Sequence, residues 1–261
     1  MNPFLPFLFL FGISIGSFLN VVIDRLPVGK SPFRGRSLCE SCGKTLSIPD
    51  LIPILSFVWL KGKCRYCKKK ISFYYPVVEL LTGILFVAVF SVLAKDRIIF
   101  SLSDFSQLLF YLFIVSVLIV VFFTDLKHGI IPDKIIFPSI VITFLYLALY
   151  SPALLTNHLA TGIISFIFFF ALILGTKGRG IGMGDAKLSL LIGIMLGFPE
   201  AVMSFYIAFL TGAGAGLILV LWGKRSLKGS LPFGPFLATS AIILLFFGGE
   251  IIPKIYRFLG L

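Results

Sequence analysis

Long apolar runs alternate with short polar breaks along most of this chain. The runs predict eight membrane-crossing helices, at approximately 4–22, 76–94, 108–124, 135–150, 159–175, 187–198, 201–222 and 233–247. Several fall short of the roughly 20 residues of a straight crossing, so their ends extend into the flanks. The sixth is short and glycine-bearing. It is expected to be a short or re-entrant helix packed against protein. The first run lacks a basic n-region and a small-x-small cleavage site, and it continues into "GSFLNVVIDRLP" without a polar break. It reads as a retained anchor.

Composition supports the pattern. Of 261 residues, 58% are hydrophobic and only 13% charged, against about a quarter charged in soluble domains. A net charge of +12 raises nucleic acid as a partner. The basic residues, however, lie between apolar runs, which fits contact with membrane lipid and no nucleic acid. With the N-terminus outside, segments 23–75, 125–134, 176–187 and 223–232 are cytoplasmic and hold 19 of the 23 Lys/Arg. The remaining four are Lys95, Arg97, Lys254 and Arg257. This is the positive-inside asymmetry, and it fits a multi-pass membrane protein. The expected fold is an all-α polytopic membrane protein with a small cytoplasmic four-cysteine loop domain. Its parts are 1–22, the first span; 23–75, a cytoplasmic zinc-binding domain; and 76–261, the remaining spans.

All four cysteines fall in the first cytoplasmic loop, as "CESC" (Cys39, Cys42) and "CRYC" (Cys64, Cys67), with spacing C-x2-C-x21-C-x2-C. Two tight turns each aiming two thiolates at one point make a tetrahedral zinc site. The alternative, a pair of disulfides, conflicts with a reducing cytosol. Four thiolates leave no open position for water, so the expected zinc is structural. Gly43 suits the turn after the first pair; Lys68 occupies the matching place after the second, a less tidy fit.

Eleven acids are present, so their placement is informative. Asp125 ends the third run in "VFFTDLKHGIIPD", Asp185 opens the sixth in "GIGMGDAKL", and Glu79 lies just inside the second in "YPVVELLTG". Acids at membrane depth pair with a partner or face a cavity. Asp125 and Asp185 have Lys127 and Lys187 nearby as ion-pair candidates. Both also lie at the same depth, among residues that loosen a helix: Gly129 and Pro132, and Gly180, Gly182 and Gly184. Two close carboxylates cannot both ionise, so one keeps a proton. Such a pair can activate water against an amide and protonate its oxygen, with no metal and no covalent intermediate. Glycines beside an acid would let an extended substrate backbone approach closely. His128 and His158 carry little signal.

Taken together, these motifs resemble the type IV prepilin peptidases, the bifunctional leader peptidase/N-methyltransferases of type IV pilus and type II secretion systems. The resemblance runs through "GSFLNVVIDRLP", the paired CxxC loop, "YPVVELLTG", "DLKHGIIPD", "GMGDAKL" and "PFGPFLA" (Pro232–Ala238), in that order. It implies that Asp125 and Asp185 are a catalytic dyad that cleaves the basic leader of prepilins or pseudopilins after a glycine, at the cytoplasmic face. It further implies methylation of the new N-terminal residue from S-adenosylmethionine. Gly62 matches a family glycine linked to methyl transfer, and Glu79 is a second candidate contact for that cofactor; a simple turn and a loop-lysine partner are their structural alternatives. No glycine-rich dinucleotide fingerprint follows a strand. A transporter with a carboxylate relay would need mid-membrane acids and an internal repeat, and neither is seen. A zinc-bearing scaffold leaves the glycine-flanked acids unexplained. The sequence carries no signal for oligomeric state.

Overall fold

The computed structural model describes residues 4–94, 101–178, 180–223 and 231–259. Lys95, Arg97, Arg179, Lys224, Arg225 and Lys228, which entered the charge asymmetry, lie outside the described residues. Among the described residues the secondary structure is helical, with only isolated bridges Leu38↔Thr45 and Lys63↔Lys70. Seven helices among the described residues are long and apolar enough to cross a membrane. The chain is a multi-pass membrane protein, and it divides into two units, Met1–Val120 and Val121–Leu261.

In the first unit, α1 (Phe4–Arg25) and α3 (Tyr74–Leu93) pack closely side by side. Small residues make this possible. A Cβ on Gly12 would lie 2.8 Å from the Gly83 Cα, and one on Gly16 would lie 2.7 Å from the Glu79 Cα. Between spanning helices, where no hydrophobic effect drives association, such close backbone approach supplies the packing energy. Residues 26–73 form a small lobe between the two helices, containing a 3-10 turn (Ile48–Leu51) and the short helix α2 (Leu55–Trp59). The Arg25 guanidinium ends α1 by donating to the carbonyls of Arg34 (2.8 Å) and Arg36 (3.0 Å), which folds the lobe's first loop back.

Helix α4 (Leu102–His128) carries the chain into the second unit. There α5 (Asp133–Tyr150), α6 (Leu155–Thr176), α8 (Glu200–Leu221) and α9 (Gly234–Leu259) all contact α7 (Met183–Leu196). At 14 residues, α7 is about 21 Å long, too short for a hydrocarbon core of about 30 Å. It is covered by protein instead: Ala186, Leu188, Ser189, Leu191 and Ile192 are fully buried. This is the short packed helix expected from its glycines. Gly193 meets Gly162 of α6, where an added Cβ would come within 2.6 Å of the opposing Cα. The His158 ring bonds the Ile194 carbonyl (Nδ1···O 2.8 Å), and the Asn157 amide bonds both N–H and C=O of Phe198. Together they satisfy the C-terminal end of a buried helix. Ser204 of α8 and Ser240 of α9 share a buried hydroxyl hydrogen bond at 2.9 Å.

Candidate active site and metal centre

Asp125 sits in the last turn of α4. Gly129, with φ +66°, ends that turn as its N–H bonds the Asp125 carbonyl at 2.8 Å. Pro132 then starts α5, with Asp133 in its first turn. Asp185 lies in the first turn of α7 and accepts the Gly182 N–H at 2.8 Å, a helix-start geometry that satisfies an otherwise orphaned donor. Asp125 accepts the Gly234 N–H, at the start of α9, at 2.9 Å. Both acids are buried, at 6% and 8% exposure. They line one cavity of about 300 Å³, with Ile131, Asp133, Gly182 and Gly184, and are close enough to interact electrostatically.

Lys187 turns to Asp133, with Nζ at 2.7 and 2.9 Å from its two carboxylate oxygens. This is the ion pair that Lys187 makes, in place of one to its sequence neighbour Asp185. The glycines around Asp185 do two different jobs. Gly184 lets α7 settle on the α4–α5 turn, since a Cβ there would lie 3.0 Å from the Ile131 Cβ. Gly180 instead leaves open space beside the loop that carries Asp185, with nothing within 4 Å of an added Cβ. Gly234 is the residue that sequence reasoning missed. A Cβ on it would lie 2.7 Å from Asp125 Oδ2 and 3.1 Å from its Cβ and Cγ. Its motif, "PFGPFLA", is visible in the sequence, but no local pattern announces a contact 109 residues away.

The four cysteines of the first unit converge. Their Sγ atoms all lie within 4.8 Å of one another, and all four are free thiols. Cys39 and Cys67 Sγ stand 3.8 Å apart; a tetrahedron with Zn–S bonds of about 2.3 Å has edges of about 3.8 Å. The cluster can hold a metal ion. Each CxxC pair closes the same turn. The Cys39 N–H donates to the Lys44 carbonyl and the Gly43 N–H to the Cys39 carbonyl; Cys64, Lys69 and Lys68 repeat the pattern. The turn needs a left-handed residue, and Gly43 (φ +67°) supplies it freely while Lys68 (φ +61°) is forced into it. Backbone N–H groups of Ser41 and Cys42 aimed at its sulfur bring the Cys39 thiol down to about 6. Asp50 braces the second turn through Arg65. Burial alone would raise the Asp50 carboxyl, but hydrogen bonds from Ser47 and Arg65 outweigh it and hold it at about 2.

Glu79 accepts the Ile54 N–H at 2.7 Å. Its partner is therefore the lobe's backbone rather than a loop lysine. Ile54 has φ +60°, so this bond holds a strained entry into α2. Gly62 (φ +67°) packs under the Phe57 ring and lines an almost wholly apolar cavity of about 290 Å³ with Ile54, Val58 and Phe73. The Glu79 carboxylate retains acceptor capacity beyond this one bond, whereas Gly62 lines apolar surface.

Comparison with known proteins follows this division. The Bacterial Peptidase A24 N-terminal domain matches residues 10–93, and the Type IV leader peptidase family matches residues 112–217. A prepilin leader peptidase/N-methyltransferase of Bacillus subtilis (strain 168) is 37% identical, over 95% of this chain and 96% of its own length. One of Aeromonas hydrophila is 32% identical over 95% and 93%. One of Myxococcus xanthus (strain DK1622) is 33% identical over 85% and 65%. No solved structure gives a significant match.

Proposed function

Since this chain belongs to the prepilin leader peptidase/N-methyltransferase family, we propose that Asp125 and Asp185 jointly hydrolyse the leader bond of prepilins or pseudopilins. The observation that carries this is two buried acids on one cavity. One carboxylate is charged and its partner protonated, because two carboxylates sharing one small cavity raise each other's cost of ionisation. The charged one takes a proton from water as the water oxygen bonds to the scissile carbonyl carbon. The protonated one gives its proton to the carbonyl oxygen, forming a neutral gem-diol. The proton taken from water then passes to the leaving nitrogen as the C–N bond breaks. The diol returns a proton to the other acid, restoring the starting state. The Gly234 and Gly182 amides hold the two carboxylates in place through this cycle.

Methylation of the new N-terminal residue is the second activity of the reading, with S-adenosylmethionine supplying the methyl group. Gly62 and Glu79 are its candidate cofactor contacts: Glu79 has acceptor capacity left beyond the Ile54 N–H, and Gly62 lines the adjoining cavity with Ile54. Cys39, Cys42, Cys64 and Cys67 hold a structural zinc that staples this lobe. The cytoplasmic side of a bacterial inner membrane, with the N-terminus opposite, suits a substrate whose leader is basic and whose mature part is an apolar helix.

Purified protein incubated with a prepilin-type peptide should release the leader. Asp125→Ala and Asp185→Ala should each abolish release while leaving methyl transfer to a pre-cleaved peptide intact. Release that persists in either variant removes that residue from the mechanism.

A further inference from the structure

Helix α2 presents a purely apolar outward face. Leu55, Val58 and Trp59 stand at i, i+3 and i+4 on one side of it, and are 64%, 66% and 86% exposed. Such spacing defines one stripe of a helix. An exposed stripe of this kind marks a contact surface.

The neighbouring structure identifies what it contacts. On and just before α3, Phe73, Val77, Leu80 and Ile84 recur at helical spacing and are exposed. Helix α3 is long and apolar enough to cross a membrane, so this exposed stripe is placed to face lipid. Val58 lines the same cavity as Phe73, Val77 and Leu80, and the Phe57 ring meets the Phe73 ring edge-on, centroids 5.8 Å apart. The α2 stripe is therefore continuous with the start of a lipid-facing surface. Lys61 lines that same cavity, and Lys63, Lys68, Lys69 and Lys70 are exposed on the same lobe. Tryptophan at a membrane boundary, apolar neighbours beneath it and lysines beside it are the ingredients of interfacial binding to anionic lipid.

We propose that α2 is an interfacial anchor, which lays Leu55, Val58 and Trp59 into the acyl boundary of the leaflet that α3 enters, with the neighbouring lysines on anionic headgroups. The four-cysteine lobe is then fixed at the membrane surface and does not stand off it. The occupant is lipid, because the stripe runs on into the exposed apolar side of a helix long and apolar enough to span a membrane, with lysines beside it.

The test uses the full chain. It has two tryptophans, Trp59 and Trp222, so Trp222→Phe leaves Trp59 as sole reporter. The protein is placed in nanodiscs of phosphatidylglycerol and phosphatidylcholine, with bromine on the upper acyl carbons of a fraction of the lipid. Trp59 should emit to the blue, lose most of its intensity to brominated lipid and resist acrylamide, as expected at a depth of about 5–10 Å. Adding Leu55→Asp and Val58→Asp should abolish the bromine quenching and restore that by acrylamide, with α3 still inserted. Emission typical of water, with acrylamide quenching and none from bromine, overturns the proposal and leaves the stripe to a protein partner. Equal bromine quenching in discs lacking phosphatidylglycerol overturns the lysine–headgroup part.

Discussion

Replacing Gly234 by alanine isolates the geometry of Asp125 from its chemistry. The added Cβ would stand 2.7 Å from Oδ2 and 3.1 Å from Cγ, so the carboxylate must swing away from the Gly234 amide it accepts at 2.9 Å. A hydrogen bond to a charged group is worth about 1.5–3 kcal/mol, and a side chain forced some 30° off its rotamer costs about 0.5–1.5 kcal/mol. Together these raise the barrier by about 2–4.5 kcal/mol, and each 1.36 kcal/mol is tenfold in rate. A displaced carboxylate of this kind agrees with the roughly hundredfold loss expected from a 1 Å misplacement. Helix propensity favours alanine over glycine by up to about 1 kcal/mol, which opposes unfolding. Leader cleavage of a prepilin peptide, followed by mass spectrometry, should therefore fall by a factor of about 30 to 2,000. Tm should fall by about 2–14 °C, and methyl transfer to a pre-cleaved peptide should be unchanged. Gly249→Ala, on the same helix but facing open space, should cleave like wild type. Wild-type cleavage by Gly234→Ala would refute the claim that this amide positions Asp125.

Lys187→Met removes the ion pair to Asp133, whose side chain is 54% exposed, so it should lower stability by less than about 1 kcal/mol and leave leader release active; abolished release would mean that Lys187 acts in the chemistry. Glu79→Gln keeps an oxygen for the Ile54 N–H and should keep methyl transfer, whereas Glu79→Ala should lose it with cleavage intact; loss in both would assign a role to the charge. Lys68→Gly removes a left-handed lysine and should raise the lobe's thermal stability by about 1 kcal/mol, read by melting of the metal-loaded protein. Cys64→Ser should release zinc, measured by elemental analysis, and expose the lobe to limited proteolysis; an intact lobe without metal would contradict the staple.

What the sequence revealed depends on range. The spans were legible because hydropathy is a local property, and even the brevity of α7 followed from its own glycines. The cysteine site was legible because its spacing is itself the geometry: two identical turns need only local hydrogen bonds, although Lys68 disguised the second. Asp125 and Asp185 stood out because charge is rare in apolar runs. Their amide partners did not, since Gly234 reaches Asp125 only through tertiary packing. Lys187 was likewise misleading. Its sequence neighbour was Asp185, but a helix points residues two apart in different directions, and the ammonium finds Asp133 across the α5–α7 contact. His158 gave no signal because a ring that satisfies a carbonyl of another helix looks, in sequence, like any polar residue at a helix start.

The account rests on Asp125 and Asp185 acting as a single unit. The most direct measurement is the rate of leader cleavage by Asp125→Asn, Asp185→Asn and the double variant, all shown folded by unaltered methyl transfer. Groups that work as a unit are not additive, so each single substitution should fall to the same residual rate as the double. A single variant that keeps substantial cleavage, or losses that add in the double, would contradict a shared catalytic pair.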